Sequence, residues 1–432
     1  MEDIIEFYKD NIINKYKQYK LYDIKKFNYL KSLKKLSLKD ILDNSNKDLL
    51  IKTKKNLNKF RKNKQDLYNK IDKKANELNI KFDPILTPYD NRLMKSFYVK
   101  KYNLDEDLYT NAFRKMYEIL IKFPELIDVN KFKTNNIKIF DICGFPGAFT
   151  YAILYYINIH TNINNVDWYI QSLNPNYNKK ISNRQKSFNS KIKIFNKILF
   201  GKPITPTGKN YSGSGDITNI DNIFYYRDFF KNDKRDLIVS DCGQKVELNE
   251  AQEDILIDVN IGQIITTLFC LKKGGCFVMK TFQTTTQMNL SLYVLLAQTF
   301  EKIYIVKPIS SRITSNERYL VLINYLDNLT ENDFKLLINV LQKKLVKKSE
   351  YSFIDFDEFN KKNPKFFSEL LSIEDNLDET TIEHIKNYFN FFDMINYDLK
   401  FIKDYIRPTD IEYLKKYEND YKYKKIYEKL IK

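Results

Sequence analysis

The spacing of apolar residues along this chain changes at two points. Up to about residue 80, stretches such as LKSLKKLSLKDIL and NLNKFRKNKQDLYNKIDKKANEL carry helical periodicity and contain no glycine. The breaker cluster FDPILTPYDN at 82–91 interrupts that pattern, and DLYTNAFRKMYEILIKF at 107–123 predicts one amphipathic helix closed by Pro124. Short apolar runs then alternate with helical ones. They predict strands at 136–143, 166–173, 236–242, 275–282, 302–308 and 318–326. Such alternation predicts an α/β sheet with helices on both faces. A polar stretch from 174 to 216, ending YSGSGD, is too long for an ordinary loop and reads as an insertion at the binding edge. Beyond 330, FKLLINVLQKKLVKK and the Tyr/Lys-rich tail to Lys432 read as helices packed on that unit. Three regions follow: a basic helical region over 1–91, an α/β domain over 92–330 and a helical region over 331–432.

Composition narrows the class. Of 432 residues 43% are hydrophobic and 15% aromatic, with only 10 Gly and 10 Pro, which argues for a densely structured protein rather than a disordered one. No apolar run reaches the ~18 residues of a membrane span, and the acidic start MEDIIEFYKDN is unlike a signal peptide. A soluble, intracellular protein is expected. The four cysteines (Cys143, Cys242, Cys270, Cys276) form no CxxC pair, and there are only two histidines, His160 and His384. Reduced thiols and no metal are therefore expected. The formal charge is +17, and the first hundred residues hold 25 Lys/Arg against 13 Asp/Glu. That concentration suits a polyanionic partner, nucleic acid or an acidic membrane surface, although a lysine-biased proteome would produce the same excess.

The candidate chemistry starts at KIFDICGFPGAFT, 138–150, where a strand runs into a turn with two glycines. In an open α/β sheet such a turn lets the backbone approach a ligand beyond the strand ends. It matches neither GxGxxG nor GxxxxGK[ST], and it lacks the lysine a triphosphate needs. A small zwitterionic nucleoside such as S-adenosylmethionine suits it better. Further on, Asp241 ends a strand, Lys280 sits inside an apolar one, Glu317 precedes another, and Lys115 lies on the helix before the sheet. Singly, each has an ordinary structural reading. Together, charged groups at such places are costly unless paired or functional.

The phrases DICGFPGAF, SGSGDITN, DLIVSDCG, LKKGGCFVMKTF and KPISSRITSNERYLV, in this order, resemble the FtsJ-type ribose 2'-O-methyltransferases, and within them the mRNA cap-specific enzymes of eukaryotes and large cytoplasmic DNA viruses. The resemblance covers about residues 92–326. It implies a Rossmann-like methyltransferase core with helical extensions, S-adenosylmethionine as cofactor, and methyl transfer to the ribose of the first transcribed nucleotide of capped mRNA. It also implies a catalytic tetrad of Lys115, Asp241, Lys280 and Glu317. Lys280 would be the base, Asp241 and Glu317 would orient it, and Lys115 would hold the hydroxyl and stabilise developing charge. The cofactor site would comprise Cys143, Gly144, Phe145, Pro146, Gly147, Ala148 and Phe149, with Asp216 beside the adenine and Ile217 next to it.

Two positions depart from the family pattern. Where an acidic residue usually holds the ribose, this chain has Gln171 or Ser172, and Ala148 replaces a common second glycine, a change tolerated if its φ is negative. Substrate RNA is expected along the basic segment 92–101, in NRLMKSFYVKK, through Arg92 and Lys95, and at Ser315. The terminal regions are candidates for docking a capping enzyme, a polymerase or a second copy. The expected compartment is the cytoplasm, a viral factory or virion if the source is a virus, and the nucleus if it is cellular. The rival readings are an rRNA or tRNA ribose methyltransferase and an inactive RNA-binding or stimulatory subunit on the same fold.

Overall fold

Each of the six predicted strands forms, within a few residues of its expected bounds. In the computed structural model the described residues are 109–128, 136–174, 197–203, 213–243, 252–282, 286–308, 310–311, 315–345, 348–356 and 363–396, together with 22–24, 359–360 and scattered positions before residue 78. The strands are β1 (Tyr22–Ile24), β2 (Asn136–Ile142), β3 (Asn165–Gln171), β4 (Ile198–Leu199), β5 (Arg235–Ser240), β6 (Leu271–Thr281), β7 (Phe300–Val306) and β8 (Arg318–Tyr325). The helices are α1 (Asn111–Lys122), α2 (Ala148–His160), α3 (Ile220–Phe229), α4 (Gln252–Cys270), α5 (Gln287–Thr299), α6 (Glu331–Gln342) and α7 (Phe366–Met394).

They build one eight-stranded sheet in the order β1-β7-β8-β6-β5-β2-β3-β4. Strands β4, β3, β2, β5 and β6 are mutually parallel, while β8 runs antiparallel to both β6 and β7. Successive strand residues face opposite sides, so both faces carry core. Val239, Val278 and Val321 pack with Phe113, Tyr117 and Ile153 of α1 and α2. On the other face, Ile238, Phe277 and Leu322 join α3 to α7, and residues after 330 such as Phe356, Phe366 and Leu370 belong to that same cluster. Each such buried large side chain contributes ~1.5–3 kcal/mol.

Local signals explain most boundaries. Thr110 caps α1, its hydroxyl accepting from the Phe113 amide, and Pro124 opens a short 3-10 turn, Pro124–Ile127, where the helix stops. Thr330 and Asp333 form a reciprocal capping box on α6. One expectation fails. Residues 22–24, inside a region whose periodicity reads as helical, form β1 and pair antiparallel with β7. The open edge of β7 offers backbone partners that local periodicity cannot register, and such tertiary pairing overrides propensity. The positions described between 59 and 77 are helical, as expected. Among the described residues no helix is long and apolar enough to cross a membrane.

The sheet fixes where a ligand goes. Chain order runs from β2 outward to β3 and β4 on one side, and β5 and β6 lie on the other. The crevice beyond the C-terminal ends of β2 and β5 is therefore the topological switch point.

Candidate functional site

The glycine turn lies at that switch point. Gly147 has φ 111°, a conformation other residues adopt only with strain, and it opens α2 without any side-chain cap. Of the first amides of α2, that of Thr150 donates to Asp141, which leaves those of Ala148 and Phe149 as donors at the helix start. Gly144 sits over Asp141: a Cβ built there would lie 2.2 Å from the carboxylate carbon. Ala148 is the first residue of α2 and is not among the residues of positive φ, so its methyl is tolerated. Phe145 packs with Ile170, Ile198 and Phe200, while Phe149 is buried against Tyr319, ring centroids 6.1 Å apart. Pro146, between the glycines, follows a cis peptide bond.

Asp141 is wholly buried at the end of β2. One carboxylate oxygen accepts from the Thr150 amide (3.1 Å) and hydroxyl (2.7 Å), and Oδ1 has no partner among the described residues. Burial pushes its carboxyl up to about 7, the Thr150 hydrogen bonds pull the other way, and the Asp241 charge adds to the rise. A buried acceptor, a helix N-terminus with two amides left as donors and a turn with no room for a Cβ suit a ligand carrying both an ammonium and a carboxylate. On these grounds the residues present fit S-adenosylmethionine.

At the end of β3 the departure from the family pattern takes a structural form. Gln171 is fully buried and joins two segments: its Oε1 accepts from the Cys143 amide (2.9 Å), and its Nε2 donates to the Gly215 carbonyl (2.7 Å). Both ends of its amide are spent on backbone, which leaves Ser172, also buried, as the neighbouring residue of the β3 end. The long insertion returns here through Asn174, whose amide donates to the Ser214 carbonyl (2.9 Å). Asp216 follows, with Oδ1 accepting from the Thr218 amide (2.9 Å) and hydroxyl (2.8 Å), and Ile217 beside it is buried.

The cysteine expectation is corrected. Cys143 and Cys242 are joined as a disulfide, with Cα atoms 5.1 Å apart and a sequence separation of 99. They follow β2 and β5, adjacent strands of the sheet, so the pairing comes from strand order and leaves no CxxC-like spacing to find. Cys270 and Cys276 are buried and outside any disulfide, as expected of reduced thiols.

The four scattered charged residues converge as two lysine–carboxylate pairs. Lys280 donates to the Asp241 carbonyl (2.8 Å) and lies 3.2 Å from its Oδ1. Lys115, from α1, lies 2.5 Å from Glu317 Oε1. Tyr319, directly opposite Lys280 in the β6–β8 ladder, donates to Asp241 Oδ1 at 3.0 Å and comes within 3.5 Å of Glu317 Oε1. Burial by itself would raise the Glu317 carboxyl; the Lys115 and Lys280 cations, the Lys115 hydrogen bond and Lys307 outweigh it and bring it down to about 2. Tyr319 is pushed well above the ordinary phenol range, first by burial and then by the two carboxylates, so it stays a donor.

Around this group a second set of contacts shapes the loop before β8. Ser311 donates to Glu317 Oε1 (3.0 Å), and Lys307 donates to the carbonyls of Ser315 (2.6 Å) and Glu317 (3.0 Å). The Ser315 hydroxyl accepts from the Glu317 amide (3.1 Å), so this side chain is engaged in the turn itself. Glu118, one turn after Lys115 on α1, accepts from the Ser310 amide and hydroxyl, both at 3.1 Å. It ties the helix carrying one cation to the loop carrying its carboxylate. Arg92 and Lys95 lie outside the described residues.

Sequence reasoning missed Tyr319, Asp141, Lys307 and Glu118. Two of them had a readable signal. Tyr319 stands two residues after Glu317, the period that returns a strand side chain to the same face, and Asp141 is the last charged residue before the turn. Lys307 acts through the backbone carbonyls of Ser315 and Glu317, and Glu118 through the amide and hydroxyl of Ser310, 192 positions away in sequence, and no spacing reveals either.

Known proteins are similar to this chain across the region that carries the site. A model of the FtsJ-like methyltransferase family matches residues 109–325. The uncharacterized protein L511 of Acanthamoeba polyphaga mimivirus is 32% identical over 333 residues, which is 76% of this chain and 39% of that protein. Cap-specific mRNA (nucleoside-2'-O-)-methyltransferase 1 of Trypanosoma cruzi is 28% identical over 199 residues, 43% of this chain and 47% of its own length. The probable methyltransferase EP424R of African swine fever virus is 27% identical over 251 residues, 56% and 55% of the two chains. The chain thus spans between 30% and 55% of the length of the first curated relatives it matches. With the family match running from the start of α1 to the end of β8 and enclosing the glycine turn and both charge pairs, the chain belongs to the FtsJ-like methyltransferase family.

Proposed function

We propose that this chain methylates the ribose 2'-hydroxyl of RNA, with the first transcribed nucleotide of capped mRNA as its acceptor. The observation that carries the reading is the pair of lysine–carboxylate contacts, Lys280 with Asp241 and Lys115 with Glu317, at the strand ends beside the glycine turn. When bound, S-adenosylmethionine supplies a methyl already activated by its sulfonium. The residues that would hold it are the turn Cys143–Phe149, Asp141, Ser172, Asp216 and Ile217.

A ribose hydroxyl is a weak nucleophile, so the protein's task is alignment and removal of one proton. Lys280 takes that proton as general base, which requires its amine to be neutral when it acts. Asp241 orients the amine through both its carboxylate and its carbonyl. Lys115, held by an ionised Glu317, presents ammonium protons to the hydroxyl oxygen as negative charge develops there. The choice of a capped acceptor rests on the relatives named for that activity in trypanosome and mouse, and the basic first hundred residues suit an RNA partner.

The test is methyl transfer to a capped RNA and to the same RNA uncapped, with nuclease digestion to locate the product. Label on the 2'-oxygen of the first nucleotide of the capped RNA alone is the expected result. Equal transfer to both RNAs would defeat the cap reading, and label on a base would defeat the ribose reading.

A further inference from the structure

Tyr319 has no part in the roles given above, yet it stands between both charge pairs. Its side chain is completely buried, and its hydroxyl is the group that reaches both carboxylates: 3.0 Å to Asp241 Oδ1 and 3.5 Å to Glu317 Oε1. Its place is fixed from three sides. It is the cross-strand partner of Lys280 on β6 and of Val306 on β7, and its ring lies against Phe149 of the cofactor turn. A buried phenol has one proton to give, and the shorter contact shows that Asp241 receives it. Asp241 Oδ1 is then held by two donors, Tyr319 and Lys280, from directly opposed positions on neighbouring strands.

We infer that Tyr319 is a positioning residue for the transfer: its hydroxyl fixes the Asp241 carboxylate, and through it the Lys280 amine, and couples that pair to Glu317. The inference rests on the ribose-methylation reading for its kinetic consequence but not for its geometric one. Without the phenol, Asp241 Oδ1 keeps only Lys280 as a described partner and is free to turn toward the crevice. The amine that it steers loses its fixed direction. A misplacement of this kind lowers the rate of the chemical step without weakening binding of either substrate. The charged groups facing the hydroxyl are Asp241 from the end of β5 and Glu317 from the loop before β8; acting on those two carboxylates in turn are Lys280 from β6, Lys115 from α1, Lys307 from the end of β7, and Asp141 from β2.

The experiment compares wild type, Tyr319→Phe, Asp241→Asn and the double variant, with melting temperature checked for each. Phenylalanine keeps the ring that packs on Phe149, so the fold is expected to persist. The expected result is a kcat about 10- to 100-fold lower in Tyr319→Phe, the loss of one hydrogen bond to a charged group, with donor affinity and RNA KM within about twofold of wild type. Because Tyr319 acts through Asp241, the double variant should be no slower than Asp241→Asn alone. Wild-type kcat in Tyr319→Phe, or losses that multiply in the double variant, would overturn the inference. A crystal structure of Tyr319→Phe supplies a readout free of turnover: the Asp241 carboxylate should leave its place beside residue 319, and an unmoved carboxylate would overturn the inference whatever the kinetics. A wild type that methylates no RNA ribose, with the carboxylate displaced in the variant, would defeat the proposed function and leave the positioning role standing.

Discussion

At opposite ends of this sheet lie two clusters of paired charges, and they differ in how completely their hydrogen-bonding capacity is used. At the N-terminal ends, Arg235 is wholly buried at the start of β5. Its guanidinium reaches Asp167 at 2.6 Å, the Asp233 carboxylate and the Asp233 carbonyl, and it stacks 4.6 Å over the Phe230 ring. Lys197 and Lys138 complete the set by pairing with those same aspartates. At the C-terminal ends the cations are lysines. Lys115 has Glu317 as its described ion-pair partner, and Lys280 has Asp241. A guanidinium fork saturated on several sides serves packing, whereas a lysine holds three donors on a single nitrogen and can lose its charge. The first cluster closes a surface. The second leaves donors unspent beside a crevice.

That contrast is breakable by mutation. The largest effect is expected from Lys280→Met, which should reduce transfer by roughly 10²- to 10⁴-fold while melting temperature and donor affinity stay near wild type. Isothermal calorimetry with the donor and a radiolabel assay would check both halves; near-normal turnover would remove Lys280 from its proposed role. Arg235→Met should do the reverse. Unpairing this side chain should cost about 3 kcal/mol in chemical denaturation, short of the fully buried limit because its carboxylates can rehydrate, and kcat of the folded protein should not change.

A smaller effect sharpens the contrast within the second cluster. Glu317→Gln leaves Lys115 without a counter-charge and should lower kcat about tenfold, the order of one charge-assisted hydrogen bond. Since the folded carboxyl lies near 2, its contribution to stability is present at pH values above the ordinary glutamate range and is lost as pH falls through about 2. Acid titration of wild type and Glu317→Gln, followed by circular dichroism, should therefore converge only at that acid extreme.

The smallest effect concerns Asp141, whose charge has no opposing partner. Its folded carboxyl titrates at about 7, above its unfolded value near 4, so the folded state binds the extra proton between those limits. Wild-type stability should fall as pH rises through that window and level off above it. Asp141→Asn should flatten the slope in denaturant melts at successive pH values. An unchanged slope would assign the titration to another group.

Much of the architecture could be read from local pattern, and the reason is local. Strands such as DLIVSD and CFVMKTF are short apolar runs bounded by polar or glycine residues, and α1 announces itself by period, by Thr110 and by Pro124. The strand Tyr22–Ile24 could not be read, because its reason for existing is the edge of β7, where Tyr22 pairs with Ile305 and Ile24 with Ile303. The disulfide was missed on the same account, since adjacency of β2 and β5 brings together two cysteines 99 residues apart. In the site, Asp241, Lys280 and Glu317 were legible as costly charges in or beside apolar strands, and the family resemblance joined Lys115 of the preceding helix to them. Their pairing was not legible. Whether Glu317 would meet Lys115 or Lys280 depends on the packing of α1 against the sheet and on the loop that Glu118 ties down.

By itself, then, the sequence determined an alternation of strands and helices, a glycine turn without a phosphate-binding lysine, and a set of charges too expensive to bury idle. These follow from backbone sterics and side-chain solvation within a few residues. Only the tertiary structure decided the strand order that makes β2 and β5 neighbours, the partners of each charge, the use of Gln171 as a backbone tie, and the place of Tyr319 between two carboxylates. Those are contacts across the sheet, set by register and packing, and a one-residue shift in the pairing of β6 with β8 would turn Tyr319 away from Asp241 altogether.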